Sequence, residues 1–132
     1  MKSIAALLFI LLPFQSIAKC WVVANLHGYS AYQNDEFNYK KNGMSNSIFH
    51  VLITKNKADL SLVGDTIGIS GLSYAPVSKT SMVGFNVDGD MSVIESWAIT
   101  GDNKVLYTKT INDHEIVTGT SSFVGDVVGS CD

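Results

Sequence analysis

The chain has 132 residues, no arginine, nine lysines and twelve acidic residues, for a formal net charge of −3. That balance argues against a nucleic-acid partner, which is held through clustered Arg and Lys, and against forked recognition of phosphate, which favours guanidinium. The length suits one folded domain, and with 46% hydrophobic residues the chain is too apolar to read as disordered.

Residues 1–18 read as a secretory signal peptide. Met1-Lys2 gives a positive start, Ile4 to Phe14 is apolar, and Ser16-Ile17-Ala18 places small residues where a signal peptidase cuts. The apolar run is shorter than the roughly twenty residues that span a bilayer, and Pro13 interrupts it, so no stable membrane anchor is expected. Lys19 stands where a lipidated cysteine needs a small residue, which argues against lipid on Cys20. Residues 19–132 then form a single all-β domain with eight lysines against twelve acids, a formal charge of −4. Its two cysteines, Cys20 and Cys131, lie near the ends of that domain, and in an exported protein they predict one disulfide.

From Cys20 on, the apolar period is two almost everywhere. Cys20 to Asn25 reads as a strand, His27 to Asn34 as a turn-rich segment, Glu36 to Lys41 as a short strand, and Asn42-Gly43 as a turn. Ile48 to Thr54 and Ala58 to Val63 form a hairpin; with Asn56-Lys57 as a two-residue turn, Ile53 faces Leu60 and Val51 faces Leu62. Ile67 to Tyr74 is a weaker strand that Pro76 ends. Thr80 to Val87 follows, and Asp88-Gly89 turns the chain into its clearest hairpin. In that hairpin, Met91 to Ile111, a three-residue loop at Gly101-Asp102-Asn103 sets Ile99 opposite Val105, Trp97 opposite Tyr107, Glu95 opposite Lys109 and Val93 opposite Ile111. Asn103 suits the left-handed position such a loop needs. After Asn112-Asp113 comes a final strand, Ser122 to Cys131, with room for a short one at Glu115 to Thr118.

Eight to nine short strands with regular turns predict a small antiparallel up-and-down barrel or meander. Pairing of the first and last strands would close it, and the terminal disulfide would lie across that closure.

Catalytic chemistry is not evident. No serine stands in a nucleophile elbow, and His27, His50 and His114 are not at metal-ligand spacing. Asp88-Gly89-Asp90 begins like a calcium loop but runs into Met91 and a strand, so a tight turn is the better reading. Glu95 sits among bulky residues, where burial could raise a carboxyl pKa, but Lys109 offers a plain cross-strand partner. The expectation is a non-enzymatic protein with no cofactor and no metal.

Two binding roles remain. Ser70-Gly71-Leu72-Ser73-Tyr74 has the form S-G-x-x-Y, which resembles the loop motif of bacterial periplasmic lysozyme inhibitors, small exported all-β proteins with a disulfide between the chain's ends. The resemblance implies a lysozyme as partner, with Ser70 and Tyr74 as polar contacts inserted into its cleft and Gly71 allowing close backbone approach. The family's second, C-terminal motif has no clear counterpart, Tyr107-Thr108-Lys109 being at best an echo. The alternative is a small barrel holding an apolar molecule in its mouth, with Trp21, Trp97, Tyr107, Phe85 and Phe123 either lining a cavity or filling a core.

Overall fold

A computed structural model describes residues 18–64 and 72–132. The described chain is almost wholly antiparallel sheet. Its strands are β1 (Lys19–Tyr32), β2 (Tyr39–Met44), β3 (Phe49–Ile53), β4 (Ala58–Leu62), β5 (Ser73–Ser78), β6 (Ser81–Asp88), β7 (Met91–Ile99), β8 (Lys104–Asn112) and β9 (Thr118–Ser130), with one 3-10 turn at Gln33–Asp35. The sheet order is β4-β3-β1-β9-β8-β7-β6-β5, and β2 also pairs with β1. β2 and β3 lie along successive halves of β1 and together fill one strand position. The result is an up-and-down meander wrapped into a nearly closed barrel, its first strand paired with its last.

The Met91–Asn112 hairpin has the register its side chains demand. Ile99 faces Val105, Trp97 faces Tyr107, Glu95 faces Lys109 and Val93 faces Ile111. Asn103 has φ 60°, the left-handed conformation the three-residue loop requires. The disulfide joins Cys20 to Cys131, with Cα atoms 5.0 Å apart, where β1 meets the end of β9.

Several boundaries differ from the sequence expectation. β1 runs through the supposed turn region to Tyr32 because a bulge resets its phase: Asn25, at φ 60°, and Leu26 together stand where β9 offers only Gly125. Before the bulge Trp21 and Val23 point inward; after it the inward positions are Leu26, Gly28 and Ser30. Asn42-Gly43 is not a turn but part of β2, paired with Gly28 and His27. The real reversal is at Glu36 and Phe37, both at positive φ. In the β3–β4 hairpin Val51 faces Leu60 and Ile53 faces Ala58, two residues from the expected register. The loop is Thr54 to Lys57, because the Thr54 hydroxyl donates to the Lys57 carbonyl and accepts from the Asn56 and Lys57 amides. A shift of two keeps every side chain on its face, so the core is unaffected. Pro76 does not end β5, which continues to Ser78 past a register shift. Proline is tolerated there because β5 is an edge: among the described residues it pairs only with β6. Glu115 to Val117 forms no strand.

The core is aromatic. Trp97 lies 5.4 Å from Phe49 and 4.5 Å from Tyr107, and Tyr107 lies 5.6 Å from Phe123, as ring-centroid distances. Met82, Val23, Val51 and Val105 fill the space around these rings. Phe85 is not part of this core; it faces outward on β6, at 52% exposure.

Candidate functional site

One set of paired, inward-facing positions crosses six strands: Tyr74 on β5, Gly84 on β6, Glu95 on β7, Lys109 on β8, Ser121 on β9 and Ser30 on β1. It forms a polar layer. Immediately beneath is a mostly aromatic layer of Met82, Trp97, Tyr107, Phe123 and Gly28 in the same strand order. Above it, toward the rim, stand Val93, Ile111, Gly119 and Tyr32. Period-two alternation carries each strand's inward residues through all three layers.

Glu95 is the hub. It is 3% exposed, and its carboxylate accepts three hydrogen bonds and faces one ammonium. The Tyr74 hydroxyl donates to Oε2 at 2.7 Å and the Trp97 indole N–H to the same oxygen at 3.2 Å. The Tyr107 hydroxyl donates to Oε1 at 3.2 Å, and Lys109 Nζ lies 3.5 Å from that oxygen. A carboxylate has about four acceptor sites; three are taken by hydrogen bonds, and the Lys109 ammonium stands near the fourth. Burying a charge costs several kcal/mol unless it is paired and hydrogen-bonded, and both conditions are met. Gly84 makes the arrangement possible, since a Cβ there would stand 2.4 Å from the Tyr74 ring.

Burial, and next the hydrogen bond to Glu95, pushes the Tyr74 hydroxyl well above its ordinary value near 10. Burial, and next the Glu95 charge, does the same to Tyr107. Both therefore remain proton donors to Glu95. The unfolded chain releases these protons above about pH 10 while the folded chain keeps them. Their contribution to stability is thus complete below that pH and falls as pH rises beyond it. Urea midpoints measured between pH ~9 and ~11 should decline in the wild type and decline less in the Tyr74→Phe/Tyr107→Phe double variant.

Beside this hub, at the barrel mouth, is a cavity of about 250 Å³. Its polar lining includes Lys109, Ser121, Asn42 and Tyr32; Tyr107 and Phe123 also line it. The Ser30 and Ser121 hydroxyls are 2.6 Å apart, and the Asn42 side-chain amide donates to Ser30 at 3.0 Å. Gly119 keeps the rim open to Tyr32, whose ring would meet a Cβ there at 2.4 Å. A second recess of about 290 Å³ lies outside the barrel between exposed loop residues such as Asn34, His114 and Ile116.

Of the S-G-x-x-Y residues, Ser70 and Gly71 lie outside the described residues. Tyr74 points into the barrel, packed on the core, with its hydroxyl on Glu95. His27 donates from Nδ1 to the Asn25 carbonyl, 2.7 Å away, and His114 is exposed. His50 lies with Cys20 and Cys131 in a group whose potential ligand atoms are within 4.8 Å of one another. Both sulfurs there are in the disulfide, which leaves the imidazole as the available ligand. No helix among the described residues is long and apolar enough to cross a membrane.

Sequence reasoning paired Glu95 with Lys109 but passed over Ser30, Tyr32, Asn42 and Ser121. The signal available was their phase: Ser121 alternates with Phe123, and Lys109 alternates with Tyr107 and Ile111. The chain matches no known protein family, no curated protein and no solved structure.

Proposed function

We propose that this is an exported, non-enzymatic binding protein that takes a small molecule into the mouth of its barrel. The observation that carries the reading is the cavity beside the polar layer, where Lys109, Ser121, Asn42 and Tyr32 converge above an aromatic floor. A concave site with a few convergent polar groups and apolar walls is the usual form of a small-ligand site. The non-enzymatic reading draws on Glu95, the buried carboxylate among the described residues, which is held by three hydrogen bonds and an ion pair inside the barrel and does not line the cavity. Export draws on the signal-like N-terminus and on the disulfide, which belongs to oxidising compartments. With a cation and hydroxyls beside the rings, the ligand is amphipathic rather than purely apolar. Native mass spectrometry of protein purified from its exporting host should show a small adduct that is lost on partial unfolding. A clean apo mass, together with no uptake from a fragment mixture, would remove the reading.

The lysozyme-inhibitor reading keeps one supporting observation. β5 begins at Ser73, on the mouth side of Tyr74, so this strand enters the barrel from its mouth end. The −4 charge of residues 19–132 would also speed encounter with a basic lysozyme. Contact through the Tyr74 hydroxyl would require giving up its bond to Glu95. A turbidity assay of cell-wall lysis with c-, g- and i-type lysozymes tests this, and Tyr74→Phe removes the hydroxyl while keeping the ring. Lysis unslowed by micromolar wild-type protein would end the inhibitor reading. Equal inhibition by wild type and Tyr74→Phe would keep the activity and discard Tyr74 as a contact.

A further inference from the structure

We propose that the mouth cavity selects ligands bearing a carboxylate on a small apolar body, with Lys109 as the anchor; this rests on the small-ligand reading above. Among the described residues, Lys109 is the one charged residue in the cavity wall. Its ammonium has three donor protons, and its contact to Glu95 is 3.5 Å. That is longer than the 2.7–2.9 Å typical of a charge-assisted N–H···O bond. Of the four groups around Glu95 it is the most loosely held, and the only one that is both charged and part of the cavity wall. Tyr74, Tyr107 and Trp97 keep their hydrogen bonds to Glu95, so Lys109 can donate one of its three protons to a ligand while staying within reach of Oε1.

The surroundings narrow the class. Ser121 stands directly across from Lys109 on the next strand, and its hydroxyl can rotate to donate. Met44, Ile111 and Phe123 supply apolar wall. Glu95 does not line the cavity, so a ligand meets the cation first, but its negative charge is close behind. Lys109 is shared with Glu95, so the site tolerates one ligand charge at most. A phosphate would bring close to two negative charges against a single cation, with no arginine in the chain to grip it bidentately. A monocarboxylate fits, because one point cation and one hydroxyl suffice for it. At about 250 Å³ the cavity lies below the roughly 300–1,000 Å³ of drug-sized sites, which sets the scale at a single ring or a short chain.

Benzoate and benzamide are a matched pair of probes with nearly the same shape and different charge. Each would be titrated by calorimetry and by amide chemical shifts into the disulfide-bonded protein. Benzoate should bind at least tenfold more tightly than benzamide, and Lys109→Gln should abolish that preference while benzamide affinity stays within a few-fold of wild type. If the wild-type protein binds the two equally, or if Lys109→Gln keeps the preference, the anion anchor is wrong although the cavity still binds. If neither probe moves the Gly119 and Ser121 resonances, the cavity reading falls together with the proposal. The wild-type comparison decides the matter even if the variant folds poorly.

Discussion

Replacing Glu95 with alanine should lower the unfolding free energy by about 3–5 kcal/mol, the range expected when a buried, hydrogen-bonded charge loses one side of its network. The substitution leaves the Tyr74 and Tyr107 hydroxyls and the Trp97 indole N–H facing a void in the barrel interior, and each buried donor without an acceptor costs about 1–3 kcal/mol. Lys109, partly exposed, can swing to water and limits the loss. Glu95→Gln should cost less, because the amide oxygen still accepts from one or two of these donors while its NH₂ group opposes the others. Urea denaturation of both variants checks the order. A loss below about 1 kcal/mol for Glu95→Ala would mean that the hub does not hold the barrel interior together.

Removing the disulfide should have an effect of similar size. Cys20 and Cys131 are 111 residues apart in sequence, and a cross-link closing a loop of that length stabilises by about 4–5 kcal/mol in the chain-entropy model. The effect should also be local. The bond sits at the far end of β1 and β9 from the mouth, where β9 carries a register shift beside Val22 and Val23. In Cys20→Ser/Cys131→Ser, amide exchange should quicken first for Trp21, Val22 and Val127 to Ser130, and later for the β7–β8 hairpin. Equal stability with and without the bond would show that strand pairing alone closes the barrel.

How much of this was legible in the sequence can be judged strand by strand. The β7–β8 hairpin was readable to the residue because its loop type, its αL asparagine and its four cross-strand pairs all agree, and agreement across levels is what specifies a register. Closure by the first and last strands followed from the meander and the cysteine positions. The strand at Cys20 to Asn25 was readable, but its continuation to Tyr32 was not, and Asn25 is the reason. One bulge residue moves the inward phase from odd to even positions, so the period-two reading stops at Asn25 and takes His27 to Asn34 for a turn-rich segment; Asn42-Gly43 was misassigned separately, on its turn dipeptide. Bulges leave little trace in composition, and Asn at positive φ is equally a turn signal. The β3–β4 register slipped because Thr54 closes a four-residue loop with its side chain, a contact that turn dipeptides do not advertise.

The site was half legible for the same reason. Glu95 and Lys109 lie on the hairpin whose register was clear. Ser30, Tyr32 and Asn42 lie beyond the bulge, and only the correct phase brings Ser30 to the same layer as Ser121, with Tyr32 one layer above and Asn42 paired with Gly28. Tyr74 was noticed for its motif, but its inward orientation depends on Gly84, whose missing side chain makes room for the ring. A glycine within a strand reads as weakness in the sequence; here it marks where a neighbour's ring is seated.

The central claim, that the barrel mouth is a ligand site, is tested most directly by amide chemical-shift mapping of the wild-type protein against a mixture of small ring carboxylates, amides and alcohols. The account predicts that shifts concentrate on Tyr32, Asn42, Lys109, Gly119 and Ser121. Shifts that spread instead over the outer face at Phe85, Leu106 and Val124, or no shifts at millimolar fragment, would contradict it.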